Sequence, residues 1–222
     1  MTVSIENFIK AIFKQSKLPE ADTKLGTIAG MLSISNAAAT DMARKLASKD
    51  LVIYTKYKPL TLTEAGNKLA LNVIRKHRLW ESFLHKTLNL SLHQIHLEAE
   101  QLEHLTSDFL ADRIEEYLGY PATDPHGDPI PNLSGKMESD NAQLLLSDAN
   151  PGHMYKISRL FSSEKDFFDF CTSNQIDIGS TIWIEKQYDS TGMTEITVNE
   201  NRLLLNGDLT RTIYVKQLAE KS

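Results

Sequence analysis

The stretch from His96 to His104 contains five histidine and glutamate side chains, and four of them, His96, Glu100, Glu103 and His104, are candidate metal ligands. On an α-helix, His96, Glu100 and His104 would lie at positions i, i+4 and i+8 and therefore along one edge. Glu103 would lie beside them, so two imidazoles and two carboxylates could bind a divalent cation. The same spacing fits an amphipathic helix that buries its leucines and leaves its acidic residues in water. The stretch alone leaves both interpretations open.

A second His/Glu pair precedes this stretch on a predicted long helix. Thr63 is a suitable N-cap, and apolar residues recur at helical spacing from Glu64 to about Leu88. His77 and Glu81 are separated by one helical turn in this segment and share one face of it. Serines 91 and 107 begin two further predicted helices with wide apolar faces. Consecutive helices of this kind suggest a dimer interface.

The first third of the chain has the order of elements found in a winged helix-turn-helix. Apolar spacing predicts helices at 5–13, 25–31 and 36–46, followed by a β-hairpin with a basic tip at 51–62. In such a unit the third helix enters the major groove, and the wing reaches the phosphate backbone. The predicted DNA-contacting residues are Ser35, Asn36, Ala38, Thr40, Asp41, Lys56 and Lys58. The alternative is a helical bundle with a surface hairpin that binds no DNA.

Charge is unevenly distributed along the 222 residues, whose net charge is −5. Residues 1–75 carry eleven Lys/Arg against six Asp/Glu, residues 76–147 carry five against twelve, and residues 148–222 carry eight against eleven. A basic first third followed by an acidic middle is expected when one module meets phosphate and another binds cations. No apolar run is long enough to cross a bilayer and no signal peptide is recognisable, so we expect a cytoplasmic protein. The single cysteine, Cys171, excludes an intramolecular disulfide.

The last third has the pattern of a small β domain. The segment 119–135 contains four prolines and three glycines, which predicts an ordered loop and then a linker. The predicted strands are Tyr155–Leu160, Ser180–Glu185, Glu195–Val198, Arg202–Leu205 and Thr212–Val215, with a helix from Glu164 to Ser173 and turns at 189–192 and 206–208. The predicted fold class is α+β. It comprises a winged helix-turn-helix at 1–63, a helical dimerisation and metal-binding domain with linker at 64–140, and a small SH3-like β-barrel at 141–222.

Together these segments resemble the DtxR/MntR family of metal-activated transcriptional repressors, in the three-domain form with a C-terminal SH3-like (FeoA-like) domain. The resemblance covers essentially the whole chain. It rests on Lys76-His77-Arg78-Leu79 with Glu81, on His96-x-Glu98-Ala99-Glu100-x-x-Glu103-His104, on Pro125-His126-Gly127 followed by Ile130-Pro131, and on the recognition helix from Ser35 to Leu46. It implies a homodimer that binds palindromic double-stranded operator DNA and has no membrane partner.

The resemblance also implies two metal sites per subunit. The primary, activating site would consist of Asn7, Glu100, Glu103 and His104. The ancillary site would consist of His77, Glu81, His96 and a C-terminal ligand, for which Glu164 is the best match and Asp166 the next. In some manganese-responsive members, the positions that match Asp124 and His126 join a secondary site.

Three positions differ from parts of this family. Glu100 replaces a cysteine of the iron-type branch, and a hard carboxylate favours Mn²⁺ over softer ions. Asn7 replaces an aspartate of the manganese branch, which weakens the primary site or moves it towards Fe²⁺. Lys10 replaces a glutamate of the short two-domain manganese regulators and argues against their closely spaced binuclear arrangement. Mn²⁺ is therefore the predicted cofactor, with Fe²⁺ as the alternative.

The predicted mechanism is a metal switch linked to folding. A carboxylate-rich pocket without metal is expected to repel itself, so metal would fix the first helix and set the spacing of two recognition helices. A metallohydrolase that uses the same His/Glu set is the alternative from another class, although nothing indicates a substrate cleft with an oriented base. A metal-independent winged-helix regulator with solvated acidic residues is the milder alternative.

Overall fold

The computed structural model describes residues 2–18, 21–137, 142–162 and 164–218. The chain divides into two compact units, one formed by residues 1–77, 100–113 and 131–137 and the other by residues 78–99, 114–130 and 138–222. The domain boundaries predicted from the sequence, after residues 63 and 140, stay predictions. The second of them lies outside the described residues.

The first unit begins with the elements of a winged helix-turn-helix. Helices α1 (Val3–Ser16), α2 (Leu25–Met31) and α3 (Asn36–Ala47) precede an antiparallel pair of short strands, β1 (Val52–Ile53) and β2 (Thr61–Leu62). The core of this region is formed by fully buried side chains of α1, α2 and α3, namely Phe8, Ile9, Ile12, Ile28, Ala39, Ala43 and Leu46. The order of elements predicted from the sequence is confirmed.

Helix α3 has a defined start and a narrow buried stripe. The side chain of Ser35 accepts a hydrogen bond from the backbone N–H of Ala38 at 3.2 Å, a cap that typically contributes about 1 kcal/mol. Ala39, Ala43 and Leu46 are completely buried, at i, i+4 and i+7 of the helix. The side chains of the first three residues of the helix, Asn36, Ala37 and Ala38, are exposed.

Three more helices follow: α4 (Glu64–Leu88), α5 (Leu92–Leu102) and α6 (Asp108–Leu118). The hydroxyl of Thr63 accepts from the backbone N–H of Gly66 at 3.1 Å, and Ser91 and Gln94 cap the start of α5 reciprocally. Helix α5 ends at Leu102, so the expectation of a continuous helix through His104 is wrong. Glu103 and His104 lie in a turn, which Thr106 closes with a hydrogen bond to the Leu102 carbonyl at 2.7 Å.

The second unit contains a six-stranded antiparallel sheet in the order β3-β8-β4-β5-β6-β7. Its elements are β3 (Leu144–Leu145), a 3₁₀ turn (Leu146–Asp148), β4 (Met154–Leu160), α7 (Lys165–Ser173), β5 (Thr181–Tyr188), β6 (Met193–Val198), β7 (Asn201–Leu205), α8 (Gly207–Thr210) and β8 (Ile213–Gln217). Alternate residues of β4, β5 and β6 are buried, as the period of a strand requires. The predicted α+β class with an SH3-like C-terminal domain is confirmed.

Two details of this unit differ from the sequence-based prediction. Strand β3 was not predicted, because two residues are too few to establish an alternating pattern. The turn predicted at 206–208 is instead the start of the short helix α8, whose N-cap Asn206 accepts from the backbone N–H of Leu209 at 2.9 Å.

The loop before the linker is held against β4 at a glycine. Gly127 has a φ of +86°, and a Cβ atom there would lie 2.1 Å from the carbonyl oxygen of Ser158. The carbonyl of the preceding residue, His126, accepts from the backbone N–H of Leu160 at 2.8 Å. The Pro125-His126-Gly127 motif therefore requires glycine at its third position in order to place His126. No helix in the described part of the chain is long and apolar enough to span a membrane.

Candidate metal centre and nucleic-acid interface

One face of α1 contacts the residues at and after the end of α5. Oε2 of Glu6 lies 2.6 Å from Nδ1 of His104. Nζ of Lys10 donates hydrogen bonds to Oε1 of Glu100 at 2.8 Å and to Oε1 of Glu103 at 2.6 Å. The structure therefore brings together three of the four residues predicted for the primary site, and it adds Glu6 and Lys10, which the sequence did not assign to it.

Two of the residues predicted for the primary site have a buried atom without a hydrogen-bond partner in the part of the chain that the structure describes. These atoms are Oδ1 of Asn7 and Nε2 of His104, and the latter lies 3.2 Å from Oε1 of Glu103. Buried lone pairs without a donor are costly, and both atom types are common ligands of divalent ions. The contact of Glu6 with Nδ1 fixes the orientation of the His104 ring. Glu100 and Glu103 form a ligand group with His77, in which the ligand atoms lie within 4.8 Å of one another, and the four-residue primary site stays a prediction.

Lys10 changes the electrostatics expected for this pocket. Its side chain is 7% exposed and that of Glu103 is 0% exposed. Burial raises the pKa of Glu100, but the Lys10 ammonium and His77 more than offset this effect and lower the pKa to about 2. The expectation that these carboxylates repel each other without metal is therefore wrong, because Lys10 already supplies a positive charge.

The remaining histidines of the predicted ancillary site are also paired through Nδ1. Nδ1 of His77 lies 2.6 Å from Oε2 of Glu103, and Nδ1 of His96 lies 3.1 Å from Oε1 of Glu81. A carboxylate on one ring nitrogen orients the imidazole. The assignment of His77, Glu81 and His96 to one ancillary site stays a prediction.

The predicted C-terminal ligands lie at the start of α7. Glu164 immediately precedes this helix and Asp166 is in its first turn, and both residues are exposed. Neither belongs to the groups of three or more ligand atoms that lie within 4.8 Å of one another among the described residues. Their role as ligands also stays a prediction.

Glu81, Asp124 and His126 form a separate buried group, with each residue at most 5% exposed. Nδ1 of His126 lies 3.6 Å from Oε1 of Glu81. Oδ1 of Asp124 accepts from the backbone N–H groups of His126 and Asp128, each at 2.9 Å, whereas its buried Oδ2 atom makes no hydrogen bond in the described part of the chain. Two carboxylates and an imidazole in this arrangement fit a divalent cation.

The protonation of this group reflects its burial. Burial, together with the charges of Glu81 and Asp128, raises the pKa of Asp124 well above its usual value. Burial lowers the pKa of His126, but its hydrogen bond to Glu81 and the nearby carboxylates more than offset this, and the pKa is raised. Both groups therefore retain protons in the metal-free fold at pH values where they would lose them in water.

The residues predicted to contact DNA lie on the surface of the first unit. Ser35, Asn36, Ala38 and Asp41 are exposed at the start of α3, Thr40 is half-buried, and Lys56 and Lys58 are exposed at the tip of the wing. The hydroxyl of Thr40 donates to the carbonyl of Asn36 at 2.7 Å, so its hydrogen is already used within the helix. Their roles at DNA stay predictions. Asn36 and the two lysines have side chains suited to base edges and phosphates, respectively.

A strongly apolar surface lies in the turn after α5 and at the start of α6. Leu105 is 85% exposed, Phe109 is 74% exposed and Leu110 is 41% exposed. Adjacent exposed side chains of this size are typical of a surface that is covered in an assembly.

Two families of protein domains match the chain. Residues 1–60 match the family described as "Iron dependent repressor, N-terminal DNA binding domain", and residues 63–132 match "Iron dependent repressor, metal binding and dimerisation domain". The diphtheria toxin repressor of Corynebacterium diphtheriae is 28% identical over 223 residues, which cover 96% of each chain. The iron-dependent repressor IdeR of Mycobacterium tuberculosis is 35% identical over 106 residues, which cover 48% of this chain and 46% of that protein.

Solved structures resemble the whole chain. A manganese-dependent transcriptional repressor in complex with manganese has a TM-score of 0.89 and 28% identity, and the match covers 96% of this chain and 100% of that chain. The manganese regulator SloR has a TM-score of 0.79 and 29% identity, with coverages of 98% and 100%.

Proposed function

From the premise that this chain belongs to the DtxR/MntR family of metal-dependent transcriptional repressors, we propose that it is a Mn²⁺-responsive regulator of metal-ion homeostasis. It is a DNA-binding repressor and not an enzyme, which removes the metallohydrolase alternative. Fe²⁺ is the alternative metal, since relatives named for iron and for manganese both occur. A repressor acts where the chromosome is, and we therefore propose a cytoplasmic homodimer on a palindromic operator.

The observation that carries the metal proposal is that Oδ1 of Asn7 and Nε2 of His104 are buried without hydrogen-bond partners among the described residues, with Nε2 of His104 3.2 Å from Oε1 of Glu103. A divalent ion would accept the lone pairs of Oδ1 of Asn7 and Nε2 of His104. Asn7 and Glu6 belong to α1, whereas His104 follows α5, so ligands from both sides would tie α1 down. The choice of Mn²⁺ rests on a donor set of oxygen and imidazole nitrogen without sulfur.

Two further ligand sets support binding of additional ions. The ancillary site of this proposal uses His77, Glu81 and His96 with Glu164 or Asp166 as the C-terminal ligand. The buried set of Glu81, Asp124 and His126 is the secondary site. Because Glu81 would be shared, these two sites would not be filled independently.

DNA binding would use the exposed start of α3 and the wing. The N-terminal residues of a recognition helix contact base edges, and the lysines of a wing contact phosphates. The basic charge of residues 1–75 supports this placement. A two-fold symmetric dimer would place two such heads on successive major grooves, about one DNA turn apart.

The test is operator binding measured as a function of metal. DNA fragments selected by the Mn²⁺-loaded protein from a random pool serve as probes in fluorescence anisotropy with EDTA, Mn²⁺, Zn²⁺ and anaerobic Fe²⁺. We expect binding in Mn²⁺ that EDTA abolishes. The proposal fails if a chelator leaves the affinity unchanged, and the iron alternative replaces it if only Fe²⁺ activates.

Variants separate the primary site from the others. Glu103→Ala and His104→Ala should each abolish metal-stimulated binding, whereas His77→Ala should only weaken it. Glu98→Gln is the matched control, because Glu98 is an exposed glutamate of α5. Equal losses in all three alanine variants would overturn this ranking of the sites.

A further inference from the structure

Lys10 lies where a cation bound to the primary carboxylates would lie. Its Nζ atom bridges Oε1 of Glu100 and Oε1 of Glu103, at 2.8 and 2.6 Å. The other oxygen of Glu103 faces Nδ1 of His77, at 2.6 Å. Both partners of the shorter contact are almost completely buried, so water does not screen this interaction as it screens a surface ion pair.

We propose that Lys10 is a tethered internal cation that holds the primary carboxylates in the metal-free protein and that a divalent ion must displace it. This inference rests on the proposed function, because it concerns the regulation of the same site. Lys10 thereby sets the metal concentration at which the site fills.

Two cations on the same carboxylate oxygens repel each other, and in a buried site this repulsion is large. A divalent ion held by Glu100 and Glu103 would therefore compete with the ammonium of Lys10 and favour its departure. Lysine suits this role because its charge is compact and its four-carbon stem is flexible, so the head can swing away.

Before a metal ion binds, the ammonium of Lys10 helps to hold α1 in place. Lys10 and Glu6 are one helical turn apart on α1, and both contact residues at or after the end of α5. These contacts dock α1 without a metal ion. The metal-free protein is therefore expected to be ordered at this place, and metal exchanges one cation for another there.

Lysine substitutions test the inference directly. Lys10→Met removes the charge at similar length, Lys10→Gln removes the charge but keeps a hydrogen-bond donor, and Lys10→Arg keeps the charge as the control. The parent protein, which keeps Lys10, and the three lysine variants all carry Glu81→Gln. This substitution disables the two ligand sets that contain Glu81. Mn²⁺ affinity is measured from the electron paramagnetic resonance signal of free Mn²⁺, and melting temperature is measured in EDTA without DNA.

We expect Lys10→Met and Lys10→Gln to bind Mn²⁺ at least about tenfold more tightly than the parent. In EDTA both should melt at a lower temperature than the parent, because the buried carboxylates lose their counter-ion. Lys10→Arg should bind Mn²⁺ no more tightly than the parent. Unchanged or weaker Mn²⁺ binding in both neutral variants would overturn the inference, as would an unchanged melting temperature in EDTA.

The two proposals can fail separately. If operator binding is unaffected by chelator, the proposed function is wrong. The Mn²⁺ affinities of the lysine variants can still be measured and compared in that case. If the Lys10 variants bind Mn²⁺ with equal affinity, the proposed role of Lys10 is wrong. The proposed function would still be supported by operator binding of the wild-type protein that depends on metal. If Lys10→Met does not fold, Lys10→Gln decides the outcome.

Discussion

Oε2 of Glu6 lies 2.6 Å from Nδ1 of His104, and Nε2 of the same imidazole is buried without a hydrogen-bond partner in the described part of the chain. A carboxylate that holds one ring nitrogen fixes the ring orientation and makes the other nitrogen a better ligand. We therefore expect Glu6 to act on the proposed primary site through His104, although it was not among the residues predicted from the sequence.

Replacing Glu6 with glutamine should weaken metal binding at the primary site. The amide keeps the size of the side chain but loses the charge that orients and polarises His104, and such changes cost roughly 10- to 100-fold in affinity. Isothermal titration with Mn²⁺ measures the effect, with Glu98→Gln as control. A Glu6→Gln protein that binds Mn²⁺ like the wild type would show that this contact only packs the two segments.

The group around His126 should make the metal-free protein less stable as pH rises. The folded-state pKa values of His126 and Asp124 are both raised, so the folded chain binds more protons than the unfolded chain. Stability from such groups is present below the ordinary pKa of each and is lost as pH rises through the folded value. For His126 this loss begins above its ordinary pKa of 6.5.

Urea unfolding in EDTA at pH 6 and pH 8 measures this dependence. We expect the wild-type protein to be less stable at pH 8, and His126→Gln to reduce the difference between the two pH values. His153→Gln, which changes a histidine near the start of β4, should retain the wild-type difference. An unchanged difference in His126→Gln would contradict the assignment to this group.

The exposed side chain of Phe109 should contribute to dimer formation. Phe109 is 74% exposed next to Leu105, and aromatic residues at the centre of an interface commonly cost 2 kcal/mol or more when truncated, roughly 30-fold in affinity. Phe109→Ser should therefore shift the dimer towards monomer in sedimentation velocity over a dilution series. Leu133→Ser is the control, since Leu133 is 71% exposed in a loop. Equal dimer stability in the two variants would exclude this surface.

The sequence predicted most of the fold because its helices have long periodic patterns and clear caps. Helices α2 and α4 begin and end where the apolar spacing and Thr63 place them. The end of α5 was missed, because no glycine or proline marks it. The turn there is closed by a hydrogen bond from Thr106 to the carbonyl of Leu102, which spacing alone does not reveal.

The candidate site was predictable where ligands share a motif and less so where distant residues meet. Glu100, Glu103 and His104 lie close in sequence and in space. Lys10 is separated from Glu103 by 93 positions, and its effect on charge depends on that long-range contact. One signal was available for Glu6, since it lies one turn before Lys10 on the face of α1 that includes Asn7.

Lys56 and Lys58 are exposed at the tip of the wing and are expected to contact DNA phosphates. A phosphate contact releases a counter-ion, so Lys56→Ala and Lys58→Ala should each reduce the salt slope of operator binding by about 1 and weaken binding to all sequences alike. Asn36→Ala should instead leave the slope unchanged and reduce discrimination between base pairs by about 1–3 kcal/mol. Lys186→Ala, on the exposed surface of β5, is the control for a general loss of positive charge. Salt slope and base discrimination are measured on the same probes. If Lys58→Ala changed only the discrimination between base pairs, the wing would contact base edges rather than the phosphate backbone.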